Sequence, residues 1–296
     1  MGMFIQALIG GISQGAIYAL VALGYSVIYS TLKMGHFAQG EFYMLGAFIG
    51  LSLATSLGLP VFLVFFGAAI LTALVMLIIE RIAYRPLYNK SSLSLLISTL
   101  GMQFIVQQIA RIIWGSDVKR FPQLFENNPI KIPFLNGDFI VITTQSIWVL
   151  GISSVLMIIL ALFMKKTKTG LAMSAVSMNR KAASLMGVKI STIIAATYII
   201  AAGLAAIAGV LMGPLYSVRF SMGGSVGTKA LTAAVLGGFG SLPGAMLGGV
   251  LLGMIETLSS LYISSAYKDA FTFIVLIVVL FFRPQGILGQ EKITKV

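Results

Sequence analysis

What most constrains this chain is a succession of apolar runs of about 20 residues each, the length a helix needs to cross the hydrocarbon of a bilayer. They fall near 4–29, 37–57, 60–80, 93–115, 145–164, 191–213, 241–262 and 267–283 of the 296 residues. Apolar side chains make up 58% of the sequence and charged ones 9%, where a soluble domain carries about 25% charged residues. No soluble core of this size could cover so much apolar surface. The expected fold is all-α: a polytopic membrane bundle of about eight spans. To these the sequence adds a broken or re-entrant piece over 229–240 and a helix of its own in the longest basic connector. Residues 1–296 read as one transmembrane domain. The opening MGMFIQALIGG lacks a basic n-region and a small-residue cleavage site, so it reads as the start of the first span.

The net charge of +12 would suggest nucleic acid in a soluble protein. Here the cations mark topology. Lys165, Lys166, Lys168, Arg180, Lys181 and Lys189 stand in one connector with no acid among them, and Arg81, Arg85 and Lys90 form a second cluster. Basic loops stay in the cytoplasm, and two spans separate these two, so their parity agrees. Between those spans, 116–144 balances its charges and carries Pro122, Pro129 and Pro133; it should face outward. The N-terminus then lies outside, and the side of the C-terminal tail depends on whether 229–240 crosses. With no cysteine and a single histidine, His36, a disulfide, thiol catalysis or a metal site is not expected.

Glycines recur at four-residue spacing: Gly46 and Gly50, Gly209 and Gly213, Gly240 with Gly244 and Gly248, and Gly249 with Gly253. In lipid this spacing lets helix backbones approach closely. The run LGGFGSLPGAMLGG (236–249) is denser and holds Pro243, so it should interrupt a helix at membrane depth. Such breaks are tolerated only in protein or along a wet cavity, and they often border a transport path. Ionisable residues within spans need a partner or a cavity. Glu256 shares a face with Gly249 and Gly253 and should point at a neighbouring helix; Glu41 opens the second span; Lys229, Arg111 and Arg219 are the available cations. A structural ion pair and a functional role stay open for Glu41, Glu256 and Lys229, while Arg111 and Arg219 read as anchors. Arg81 and Arg85 can snorkel to the interface. Gln39, Glu41, Lys229, Gly237, Gly238, Gly240 and Glu256 are the candidates for path or gating.

The connector KKTKTGLAMSAVSMNRKAASLMG (165–187) is too long for a simple loop. At helical spacing Leu171, Ala175, Met178, Ala182 and Leu185 share one stripe, with Ser177, Arg180 and Ser184 opposite. It reads either as a helix on the lipid headgroups or as a docking surface for a cytoplasmic partner. Gly223-Gly224-Ser225-Val226-Gly227 matches a nucleophile-elbow pattern, but glycine is common here and no strand–turn–helix context surrounds it. The Asn89-Lys90-Ser91 sequon falls in a loop expected to be cytoplasmic. No G-x-x-x-x-G-K-[ST] loop exists, so any ATP that drives the protein binds elsewhere.

Taken together and in order, GHFAQGEFYMLGAF (35–48), ERIAYRPL (80–87), the connector, KALTAAVLGGFGSLPGAMLGG (229–249) and RPQGILG (283–289) resemble the H-type membrane permease of branched-chain amino acid ABC importers, over essentially the whole length. Within the connector, Lys181-Ala182-Ala183-Ser184-Leu185-Met186-Gly187 is similar to the E-A-A-x-x-x-G signature of such permeases, with lysine in place of glutamate. Ala183 and Ala182 would allow close approach and Gly187 the exit turn. His36-Phe37-Ala38-Gln39-Gly40-Glu41 stands where the family reads N-F-A-H-G-E. The resemblance implies a multi-pass protein of the cytoplasmic (inner) membrane with several partners: an M-type permease subunit or a second copy, two ATP-binding subunits, and an extracytoplasmic protein delivering leucine, isoleucine or valine. It implies no cofactor of the chain's own. Rival expectations are another small cargo (urea, short amides or a sugar), a proton-coupled carrier relaying through Glu41, Glu256 and His36, and an intramembrane hydrolase at Ser225.

Overall fold

The computed structural model describes residues 2–88, 90–125, 128–133 and 139–289. Asn89 of the sequon lies outside them. Eight apolar helices occupy the eight expected runs: α1 (Gly2–Leu32), α2 (Gln39–Thr55), α3 (Val61–Ile79), α4 (Ser92–Trp114), α5 (Thr144–Lys166), α8 (Ile190–Tyr216), α10 (Leu242–Tyr262) and α11 (Lys268–Phe282). The connector supplies α6 (Lys168–Met178) and α7 (Arg180–Leu185), and α9 (Met222–Gly237) precedes α10. Among the described residues, six helices are long and apolar enough to cross a membrane. The other two expected spans, α2 and α11, have 17 and 15 residues, about 25 and 22 Å against a hydrocarbon core of about 30 Å. The chain is a polytopic helical membrane protein.

The two ends of α1 mark the two ends of the bundle. At its start, Gln6 exchanges hydrogen bonds with Val141 in a two-stranded hairpin, β1 (Ile130–Pro133) and β2 (Phe139–Ile142), paired antiparallel from Ile130↔Ile142 to Pro133↔Phe139. At its finish, Arg180 Nη2 donates to the Leu32 carbonyl at 3.3 Å. The balanced loop and the basic connector thus lie at opposite ends, as the charge pattern requires. Past α3 the chain makes one π turn (Glu80–Tyr84) and a 3-10 turn. Glu80 is held there by the Tyr88 hydroxyl at 2.7 Å, while Arg81 and Arg85 are exposed, as snorkelling side chains should be.

Helices α1, α2, α8, α9 and α10 enclose the core, while α3, α4, α5 and α11 turn large apolar side chains such as Phe66, Ile112, Ile158 and Phe281 outward. Glycine sets the spacing. A methyl on Gly15 would sit 2.7 Å from Val250 Cα, and one on Gly249 would sit 2.5 Å from Ala19 Cα. Gly46 lies equally hard against Ala206, and Gly209 against the Tyr43 carbonyl. These are backbone-to-backbone seams, α1 on α10 and α2 on α8, of the kind that holds helices together in lipid.

The expected break over 229–240 is narrower than the sequence suggested. Lys229 to Gly237 continue a regular helix, and the chain turns only at 238–241, where Gly238 and Gly240 take φ of 111° and 89°. Ser241 caps α10 by accepting from Gly244 N at 3.2 Å. Nor is the break at mid-depth. Phe239 stacks on Tyr29 at 4.1 Å near the end of α1, and Ile287 N and Leu288 N donate to the Leu236 and Gly237 carbonyls.

Gly249→Leu should split the α1–α10 seam, costing about 1–3 kcal/mol or more, and lower the thermal unfolding midpoint in detergent. Gly151→Leu, where a side chain meets open space, should leave the midpoint unchanged.

Candidate functional site

The connector is not one helix. Asn179 (φ −156°, ψ 107°) leaves the helical region and caps α7, its Oδ1 accepting from Ala182 N at 3.0 Å. Thr167 caps α6 in the same way through Gly170 N. Gly170, Met173 and Val176 on α6 and Ala183 on α7 are buried; Met173, Val176 and Ala183 form a small core with Ile193 of α8. The stripe expected from spacing is the opposite face. Leu171 is 57% exposed, Met178 87% and Leu185 89%, with Ala175 and Ala182 also open. Arg180, assigned to the face opposite the stripe, is half-buried and spent on the end of α1, a favourable place for a cation. Lys181 remains in solvent. Gly187 has φ of +84°, and its N–H and that of Val188 close the helix onto Ser184 and Ala183, the left-handed exit its position promised.

Glu256 does face a neighbouring helix. Its side chain is 2% exposed and accepts from Lys229 Nζ at 2.6 Å and from the Tyr18 hydroxyl at 2.8 Å, with Lys268 Nζ at 3.3 Å. Lys229 also meets Asp269 at 2.8 Å, and Gln14 donates to Tyr18. α1, α9, α10 and the start of α11 are thereby tied by one charge-neutral cluster. A cleft of about 530 Å³ opens beside it, lined by Gln14, Tyr216, Glu256, Ser260 and Lys268 among others. Tyr18, Asp269 and Lys268 were not legible as members: nothing local in sequence separates them from other tyrosines and loop charges.

Glu41 and Gln39 occupy the first turn of α2. Gln39 Nε2 donates to the Ala201 carbonyl at 2.8 Å. Glu41 is fully buried and neither carboxylate oxygen has a partner. His36 is buried against Tyr84 and Tyr198 with both ring nitrogens unpartnered. No direct hydrogen bond joins Glu41, Glu256 and His36 among the described residues. Ser225 sits on the exposed face of α9 and has no histidine partner. Gly237, Gly238 and Gly240 lie at the connector end of the bundle. There Gly238 touches Gly289, Gly237 touches Gly244, and Gly240 touches Tyr29. Arg111 donates to Ser116 Oγ at 3.0 Å and covers Phe220, an anchor as expected.

Residues 7–280 match the family model described as branched-chain amino acid transport system / permease component. The chain is 39% identical to the high-affinity branched-chain amino acid transport system permease protein LivH of Escherichia coli strain K12, over 99% of this chain and 98% of that one. It is 40% identical to the corresponding protein BraD of Pseudomonas aeruginosa over the same shares. Among solved structures, PsaBC from Streptococcus pneumoniae in complex with Fab superposes with a TM-score of 0.54 at 15% identity, covering 95% of this chain and 92% of that one, a likeness of fold. The chain belongs to the family of branched-chain amino acid transport system permease components.

Proposed function

We propose that this chain is one permease subunit of an ATP-driven importer of leucine, isoleucine and valine in the cytoplasmic membrane. It works with a second, M-type permease subunit, two ATP-binding subunits and an extracytoplasmic binding protein. It catalyses no reaction and carries no cofactor; ATP is held by the partners. Its one transmembrane domain crosses nine times: α8 ends beside the outer loop, where Val218 pairs with Lys119, and α9 returns the chain to the connector end, with α2, α9 and α11 completing their crossings through the segments beside them. The connector end faces the cytosol.

The observation that carries this reading is the outward apolar face of α6 and α7. A helix lying on headgroups turns its apolar face toward the bilayer. Here the face toward the bundle is already filled by Met173, Val176 and Ala183. Leu171, Met178 and Leu185 point the other way, beside Lys168 and Lys181. An exposed apolar cap rimmed by cations on the aqueous side suits a protein partner. Seated in a cleft between the two ATP-binding subunits, it would move with them, and α5 and α8, which flank the connector in sequence, would carry the movement into the bundle. Coupling requires that the contact differ between the ATP-bound and free states, since a contact equal in both shifts nothing.

Leu185→Asp and Ala182→Asp place a charge in this contact without touching the buried side. The permease pair should form normally, while association with the ATP-binding subunits weakens by at least about 30-fold and uptake and substrate-stimulated ATP hydrolysis disappear. Normal uptake by both variants would sink the docking assignment. In proteoliposomes the complete complex should accumulate leucine only with ATP on the cytoplasmic side and should ignore an uncoupler. Uptake by this chain alone, collapsing with the proton gradient, would establish the carrier instead.

A further inference from the structure

α2 and α9 both begin inside the bundle rather than at its ends. Gln39, the first residue of α2, reaches Ala201 and lies against Gly24 of α1, about 12 Å before that helix ends at Leu32. The first turn of α9 lies beside it. A methyl on Gly40 would meet the Gly223 carbonyl and sit 2.6 Å from Gly227 Cα, so the two helix starts touch backbone to backbone. Two helix N-termini therefore converge at mid-depth; Glu41 N and Met222 N donate to the Ala38 and Arg219 carbonyls just before each helix, and the other first-turn N–H groups have no carbonyl behind them in the helix.

Glu41 stands at this convergence. A methyl on Gly223 would be 2.5 Å from its Oε2, and one on Gly224 would be 3.9 Å from its Oε1 and 3.7 Å from Nε2 of Gln103 on α4. Gly224 and Gln103 are both partly exposed, so the carboxylate is one glycine beneath the surface. A buried carboxylate without a partner is among the costliest arrangements in a membrane protein. The cluster around Lys229 shows that this chain supplies cations where a buried acid needs one for stability. The surface above Glu41 is also unlike a lipid-facing one. Ser221, Ser225 and Thr228 are exposed on α9, and Gln107 and Arg111 follow Gln103 at four-residue spacing on α4, whereas α3 presents Phe62, Phe66, Ile70, Leu74 and Ile78.

We propose that Glu41 is the ammonium-binding group of the translocation path. The amino end of a passing amino acid pairs with its carboxylate, and the carboxylate end faces the first-turn N–H groups of α9 and the Gln103 amide. The inference rests on the importer reading and deepens it. In the present conformation the Gly40–Gly223–Gly227 seam is shut over Glu41. Passage requires the start of α9 to part from α2 at this seam. The α4–α9 face then lies toward the second permease subunit.

The chain has no cysteine, so Gly224→Cys places a single thiol above Glu41. In the complete complex, with any partner thiols replaced, saturating leucine should slow alkylation of that thiol, and 4-methylpentanoate, the same molecule without its amino group, should not. Adding Glu41→Gln should abolish the protection. In proteoliposomes Glu41→Gln should lower ATP-driven leucine uptake by at least about 20-fold, the loss of one charged partner. Glu41→Asp should retain most uptake, and both variants should assemble with an unchanged unfolding midpoint. Protection by 4-methylpentanoate equal to that by leucine would overturn the assignment. So would no protection by leucine, uptake by Glu41→Gln within about twofold of the parent, or failure of both variants to assemble. Absence of ATP-driven uptake by the unaltered complex would instead strike the importer reading, a separate result.

Discussion

The structure depends on backbone contact between helices. In lipid, apolar side chains gain nothing by turning inward, so association rests on close packing and on polar pairs. Gly11, Gly15, Gly249 and Gly253 bring α1 and α10 together, and Gly46 and Gly209 do the same for α2 and α8. Helix α1 is the longest element, and its contacts reach from the hairpin at Val141 to the connector at Arg180. It therefore serves as the post against which the rest is placed.

Two buried acids show how surroundings divide one chemistry into two roles. Glu256 is compensated by Lys229, Lys268 and Tyr18, and with Asp269 the group is neutral. That arrangement costs desolvation but leaves no orphan, so it fixes four helices in register. Glu41 is equally buried but has no hydrogen-bond partner, and it lies among the glycine backbone of α9 and near the Tyr25 phenol. This carboxylate, with no side-chain cation beside it at the meeting of two helix N-termini, is the one proposed to take the ammonium group. Transporters with interrupted helices use such ends near mid-membrane, and here the interruptions fall before α2 and α9.

The connector follows the same logic at the aqueous end. Its inner face is bound to α8 through a small apolar core, so its geometry is fixed by the bundle. Its outer face presents Met178, Leu185 and Met186 to water. Exposed thioethers and leucine on a fixed, short helix pair are adaptable contact groups. A fixed inner face and an exposed apolar outer one suit the proposed contact with the ATP-binding subunits.

Much of this could be read in the sequence. The apolar runs located eight of the helices to within a few residues, because in lipid the run length follows the bilayer. The cations placed the two loops at opposite ends, and the four-residue glycine spacing announced the seams. Periodicity put the apolar residues of the connector on one stripe, though not which way it would face, and the glycine at 187 allowed the left-handed exit turn. What sequence misjudged was depth and direction. The glycine-rich run 236–249 reads in sequence as a break inside the membrane, yet its turn lies at the bundle end, because only the packing of Phe239 on Tyr29 fixes its level. Asn179 breaks the connector because its side chain caps α7, a local bond that helical periodicity does not register. The partners of Lys229 and the glycine surroundings of Glu41 come from residues far apart in the chain. Local pattern dictated which segments became helices and which faces were apolar. Only the fold decided which acid found a cation and which was left facing bare backbone, since that depends on what distant helices bring to the same depth.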